Sequence, residues 1–303
     1  MANSNTLQRS ISYATILARG APLSGVLSIP NEPALTIGDW VRQFILGPPF
    51  AWRWNRSITA FNATTGTTDY AIMQWTTLLA VPYGTILVDS HGNQQQCTVA
   101  GITGALQPTW NQTFSGMTTD GSVTWENVGA VGGGYFQPIQ PLGWVEKAVI
   151  IDANKVSHEM GIRLNLGQES VQNQPFDLAP LLDSGTGIYT FRIIPAPEQP
   201  YTVILTNQNA APNFTTLGGL WSPIPDYLSY LYNQGIIAKT FEYMSKDSFL
   251  AEEQLFLRQV IAANSGLTDS QVDIFLSDKI ITARQGQSEL GEAQQSRQAR
   301  GGF

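Results

Sequence analysis

Residues Trp75–Gly129, WTTLLAVPYGTILVDSHGNQQQCTVAGITGALQPTWNQTFSGMTTDGSVTWENVG, decide how the rest of the chain is read. Short β-prone runs alternate there with turn residues. A strand leads to a turn at His91-Gly92-Asn93, a second strand and a Gly-rich loop follow, and Asp120-Gly121 then opens into Val123, Thr124 and Trp125. Asp-Gly ahead of alternating residues is a strong hairpin signal, because Gly accepts the positive φ that a tight turn requires. A stretch with its own hairpin, leaving through Gly132-Gly133-Gly134, reads as a small β module, residues 74–131, inserted into a larger domain. Such a module is expected to be dispensable for folding of its host.

The flanks carry further strand signals. SITAFN (Ser57–Asn62), VEKAVIID (Val145–Asp152), IYTFRIIP (Ile188–Pro195) and YTVILTN (Tyr201–Asn207) are β-rich, with turns at Asp183–Gly187 and Pro197–Pro200. Residues 57–73 and 132–219 are therefore expected to form an antiparallel β domain. Helical spacing governs the two ends. Leu7, Ile11, Ala14 and Ala18 repeat at helical intervals before Gly20 and Pro22, and Trp40, Val41, Phe44 and Ile45 form a stripe that Gly47-Pro48-Pro49 stops. Thr36, three residues before Asp39, reads as the start of that second helix, in a variant of the capping box. Beyond Pro223 and Pro225, helices return with Tyr227, Leu228, Leu231 and Tyr232, then Phe249, Leu250, Phe256, Val260 and Ile261, and last Val272, Phe275, Leu276 and Ile280. The expected class is α+β. A helical bundle from the N- and C-terminal segments (1–56 and 220–282) frames a central antiparallel β domain that carries the inserted module, and residues 283–303 form a polar, Gly/Gln-rich arm.

Composition narrows the function classes. Of 303 residues, 43% are hydrophobic and 10% aromatic, enough for a sizeable core. Charged residues make up only 13%, about half the usual share, which suits either a surface partly covered by neighbouring subunits or one that is simply polar and uncharged. A net charge of −7 and the lack of a Lys/Arg cluster argue against gripping nucleic acid phosphates. The single cysteine, Cys97, precludes an intrachain disulfide. With neither a signal-peptide core nor a membrane-length apolar run, the chain reads as a soluble intracellular product.

No catalytic constellation emerges, and no cofactor or metal is expected. His91 falls in a turn, and His158-Glu159 lacks the second histidine of a zinc helix motif. Gly132-Gly133-Gly134 lacks the Lys-Ser/Thr of a phosphate loop, and Cys97 reads as a buried thiol. Asp177 with Asp183, and Glu252 with Glu253, read as solvated charges on a turn and a helix face. Trp110 and Trp125 leave two readings open: core of a small module, or a platform for stacking on sugar rings.

Two groups of residues resemble known phage proteins. Cys97–Trp110 (CTVAGITGALQPTW) and Thr118–Gly129 (TTDGSVTWENVG) resemble a short β module of tail and neck proteins of tailed bacteriophages. The frame resembles head–tail connectors of the adaptor or gatekeeper kind, in PFAWRWNR (Pro49–Arg56), TTDY (Thr67–Tyr70), GWVEKA (Gly143–Ala148), FRIIPAP (Phe191–Pro197) and WSPIPDYLSYLYNQGIIA (Trp221–Ala238). The resemblance implies a virion neck protein, assembled in the host cytoplasm without a membrane partner. Its partners would be copies of itself in a ring of about twelve subunits, the portal protein and downstream tail, nozzle or neck proteins. DNA would pass through the channel without specific binding. The C-terminal arm, with Ala283, Arg284, Gln287, Leu290, Arg297, Arg300 and Phe303, would dock on the portal. The alternative is a carbohydrate-binding tail or receptor-recognition protein using Trp110 and Trp125.

Overall fold

Residues 6–19, 29–132, 142–163, 171–183, 187–264 and Val272 are described in the computed structural model of the chain. They belong to two units, residues 55–211 and residues 1–54 with 212–303.

The first of these units is built of strands: β1 (Arg56–Ala63), β2 (Asp69–Met73), β3 (Ala80–Val81), β4 (Ile86–Val88), β5 (Asn93–Val99), β6 (Gly101–Ile102), β7 (Met117–Asp120), β8 (Val123–Ala130), β9 (Leu142–Ile151), β10 (Ser157–Ile162), β11 (Gln172–Asn173), β12 (Asp177–Asp183), β13 (Ile188–Ile194), β14 (Ala196–Pro197) and β15 (Tyr201–Asn209). Period-2 patterning makes them strands. In β15, Tyr201, Val203 and Leu205 turn inward while Thr202, Ile204 and Thr206 are half-buried on the other face. Eleven strands join in one sheet, ordered β1-β15-β9-β10-β12-β13-β2-β4-β5-β8-β7, and the remaining four make two small ladders, β11 with β14 and β3 with β6.

Two joins in the large sheet are parallel, β10 with β12 (Gly161 opposite Asp177) and β2 with β4 (Ile72 opposite Ile86). The sheet curls on itself. Phe61, Val145, Ile150, Val203 and Leu205 from one half of the order share a core with Tyr70, Ile72, Ile86, Leu178 and Phe191 from the other. At the seam the Asn62 backbone N–H donates to Gln94 Oε1 at 2.7 Å, and Asn62 Nδ2 donates to the Ala130 carbonyl at 3.0 Å. Ala60 of β1 packs with Val88 of β4 and with Val131.

The second unit contains α1 (Leu7–Arg19), α2 (Asn31–Leu46), α3 (Ser229–Tyr243) and α4 (Phe249–Ala263). α3 packs against the other three helices, whereas α1 and α2 barely meet. Gly235 lets α3 press close, since a Cβ there would stand 2.6 Å from Val41 Cγ1 and 2.9 Å from Phe256 Cε2. Buried Arg42 donates to the Pro212 and Ser222 carbonyls and to Asp39, and its guanidinium lies 3.7 Å from the Phe214 ring centroid. Burial lowers its pKa from the ordinary guanidinium value, with Asp39 opposing. α2 begins at Asn31, five residues before the position that Thr36 suggests. Thr36 lies inside the helix and its hydroxyl donates to the Glu32 carbonyl, while Asp39 accepts the Phe214 N–H at 2.7 Å.

The expected fold class is therefore corrected. Among the described residues a large mixed sheet of eleven strands dominates, with four helices, and not a terminal helical bundle framing a central antiparallel β domain. The helices gather on α3 rather than forming a bundle of the two ends. β4, β5, β8 and β7, all from the 74–131 stretch, continue the same sheet through the single β2–β4 register pair. Parallel joins escape local reading because no turn links the strands they connect. Of the last expected helix, Phe275, Leu276 and Ile280 lie outside the described residues.

Candidate assembly surface

Two buried carboxylates organise residues 74–131. Asp120 Oδ2 accepts the Trp75 Nε1–H at 2.8 Å and the Trp125 Nε1–H at 3.3 Å, while its Oδ1 accepts the Gly104 N–H at 2.8 Å. One acid thus ties the hairpin to the Gly-rich loop and to the entering strand segment. The adjacent Gly121 has φ +63°, and a Cβ there would stand 2.4 Å from the Ile102 carbonyl oxygen. Asp89 does the same at the other turn, its Oδ1 accepting the His91 and Asn93 N–H groups and its Oδ2 accepting Gln95 Nε2 at 2.8 Å. Both acids are saturated by local donors, so their chemistry is structural.

Trp110 and Trp125 come together, ring centroids 5.9 Å apart at 82°, inside a core with Met73, Val81, Leu87, Cys97, Val123 and Ile188. Trp110 is 5% exposed and Trp125 fully buried, so neither ring offers a face to a sugar in solvent. That core is shared. Met73 and Ile188 belong to β2 and β13, and Ile86 from the 74–131 stretch sits in the core of the curled sheet.

Other candidate residues are scattered. His91 is exposed at its turn, with Nδ1 3.0 Å from Gln112 Nε2. His158 Nε2 lies 3.9 Å from Asp152 Oδ2. Burial pushes the Cys97 thiol pKa up, which keeps it protonated and unreactive. Asp177 is buried and paired with Arg163 at 3.0 Å, rather than solvated, and Glu252 accepts Gln234 Nε2 at 2.7 Å. The Asp183 side chain and the whole arm, Ala283, Arg284, Gln287, Leu290, Arg297, Arg300 and Phe303, lie outside the described residues. Among the described residues, no group of three or more His, Cys, Asp or Glu could hold a metal, and no helix is long and apolar enough to cross a membrane.

The surface also presents apolar side chains. Leu78, Tyr83, Ile102, Leu106, Phe114 and Met117 are all more than half exposed. Between Asp69 and Asp120 the only formally charged residue is Asp89, and it is buried. A run of fifty residues with a single charge is legible in the sequence; which of its apolar side chains point outward is not. In the helical unit α1 is apolar on two sides. Leu7, Ile11, Ala14 and Ala18 face inward, whereas Tyr13, Ile16 and Leu17 are exposed. No family model matches the chain, and no curated protein matches it at a significant level.

Proposed function

We propose that the chain is a structural head–tail connector of a tailed phage, an adaptor that assembles as an oligomeric ring between portal and tail through which DNA passes. It works mechanically in the virion neck. The observation that carries this reading is the exterior of residues 76–119, where Leu78, Tyr83, Ile102, Leu106 and Phe114 stand in solvent among neutral polar residues such as Thr76, Thr77, Gln107 and Gln112, with no exposed Asp, Glu, Lys or Arg among them. A protein that stays monomeric normally surrounds exposed apolar groups with charge, so such an exterior is suited to being covered in an assembly. The motifs that resemble adaptor and neck proteins supply the kind of assembly, and the net charge of −7 suits a channel along which DNA slides without sticking.

Native mass measurement on the purified chain mixed with the portal of its phage tests this reading. A high-order ring bound to portal is expected. A trimer that ignores portal and binds polysaccharide would replace the connector with a receptor-recognition role.

A further inference from the structure

α1 is amphipathic in the ordinary sense on one side only. Its inward face is packed, yet the outward face repeats Tyr13, Ile16 and Leu17 at helical spacing, 52%, 44% and 43% exposed, with Arg9 one turn earlier on the same face. A lone surface helix normally turns polar groups to water on that side. The charge here is one-signed as well. Residues 1–31 contain Arg9 and Arg19 and no acid.

The same helical unit carries the complement. From Pro212 to Ala238, Asp226 is the only charged side chain, and it is exposed beside Tyr227 (69% exposed) and Tyr230 (46% exposed) where α3 begins. One surface carries Tyr13, Ile16 and Leu17 with exposed Gln8 and Ser12 beside them and only cationic charge, and the other is aromatic with a lone anion. Neither Arg9 nor Asp226 has an ion-pair partner among the described residues.

We propose that a second copy of this chain covers the outward face of α1, setting its Asp226, Tyr227 and Tyr230 against Tyr13, Ile16 and Leu17, with Arg9 of one copy paired to Asp226 of the next. This rests on the connector reading only in taking the assembly to be built from copies of the chain. Tyrosine and leucine anchors exclude water at the contact, and the charge pair fixes register and rejects the reversed docking. The contact joins two different surfaces, so repetition produces a closed ring or an open filament rather than an isolated twofold dimer.

Analytical ultracentrifugation of the full chain tests it by reciprocal charge reversal. Arg9→Glu and Asp226→Arg should each weaken self-association by at least about tenfold, and the double variant should recover most of that loss. Ile16→Asp with Leu17→Asp should leave a folded species, judged by circular dichroism, that no longer associates. Failure of the double variant to recover, or a wild type that remains monomeric at every concentration, overturns the proposal. If single reversals leave self-association intact but abolish portal binding, the portal covers α1 and the proposal is likewise wrong. If charge reversal behaves as expected while portal binding is never seen, the subunit contact stands and the connector role falls.

Discussion

At the residue scale, Asp120 ties three separate parts of the 74–131 stretch together. Replacing it by Ala leaves two indole N–H groups and the Gly104 N–H without their acceptor in a buried site, a loss of about 3 kcal/mol. Chemical denaturation should show that loss for Asp120→Ala, against a change under about 0.5 kcal/mol for the exposed neighbour Thr119→Ala. Equal effects would mean that the carboxylate is not the tie. Gly121→Ala should be as damaging, because it combines φ +63° with a Cβ 2.4 Å from a backbone oxygen. On the sheet exterior, Arg192 donates two hydrogen bonds to Asp69 at 2.7 and 2.8 Å and holds that carboxyl below its usual pKa. A lowered folded-state pKa stabilises above the unfolded value, about 3.9, and the gain is lost as pH falls through the folded one. With Asp69 44% exposed the gain is at most about 1 kcal/mol. Asp69→Asn should therefore flatten the acid limb of the stability–pH curve below about pH 4 and weaken stability slightly at pH 7. An unchanged acid limb would show the pair to be inert.

At the element scale, what was legible followed the local period. Inward and outward alternation in YTVILTN and SITAFN places β15 and β1, and those strands then pair residue by residue from Arg56 opposite Gln208 to Ala63 opposite Tyr201. The stripe Leu7, Ile11, Ala14, Ala18 places α1 and its buried face. Illegible were the joins between distant segments. Nothing near Ile72 announces Ile86 as its parallel neighbour, and nothing in the hairpin signal at Asp120-Gly121 says that its core borrows Met73 and Ile188. The sequence therefore suggested a dispensable insertion, whereas the shared cores imply dependence. Replacing 74–131 by a short Gly/Ser linker removes Ile86 from one core and uncovers Met73 and Ile188 in the other, a change that should cost well over about 3 kcal/mol. Thermal unfolding should shift far downward or the protein should become insoluble. An unchanged transition would restore the picture of a separable module. The candidate assembly surface is half legible: the scarcity of charge from residue 70 to 119 is plain in the sequence, while the outward aim of Tyr83 and Phe114 depends on how the loops fold.

At the scale of the whole molecule, chain entry and exit decide what can be cut apart. Residues 55–211 enter through β1 and leave through β15, and these two strands lie side by side. Asn55 Nδ2 donates to the Asn209 carbonyl at 2.8 Å, so both ends of the segment are fastened to each other by contacts within the segment itself. Its core residues Phe61, Ile150, Leu178, Phe191 and Val203 all belong to the segment. A contiguous stretch of this size, with adjacent termini and a core of its own, meets the requirements for independent folding. The helical unit is discontinuous, assembled from residues 1–54 and 212–303, so bringing its two segments together carries the closure entropy of the 157 residues between them. Expressed alone, residues 55–211 should give a monomer with strand-type circular dichroism and a single cooperative urea transition. The two helical segments should remain unfolded unless a short linker replaces 55–211, since ends as near as those of Asn55 and Asn209 need only a few residues to bridge. A fragment 55–211 that stays unfolded while the linked helical segments fold would reverse the dependence and make the helices the scaffold of the sheet.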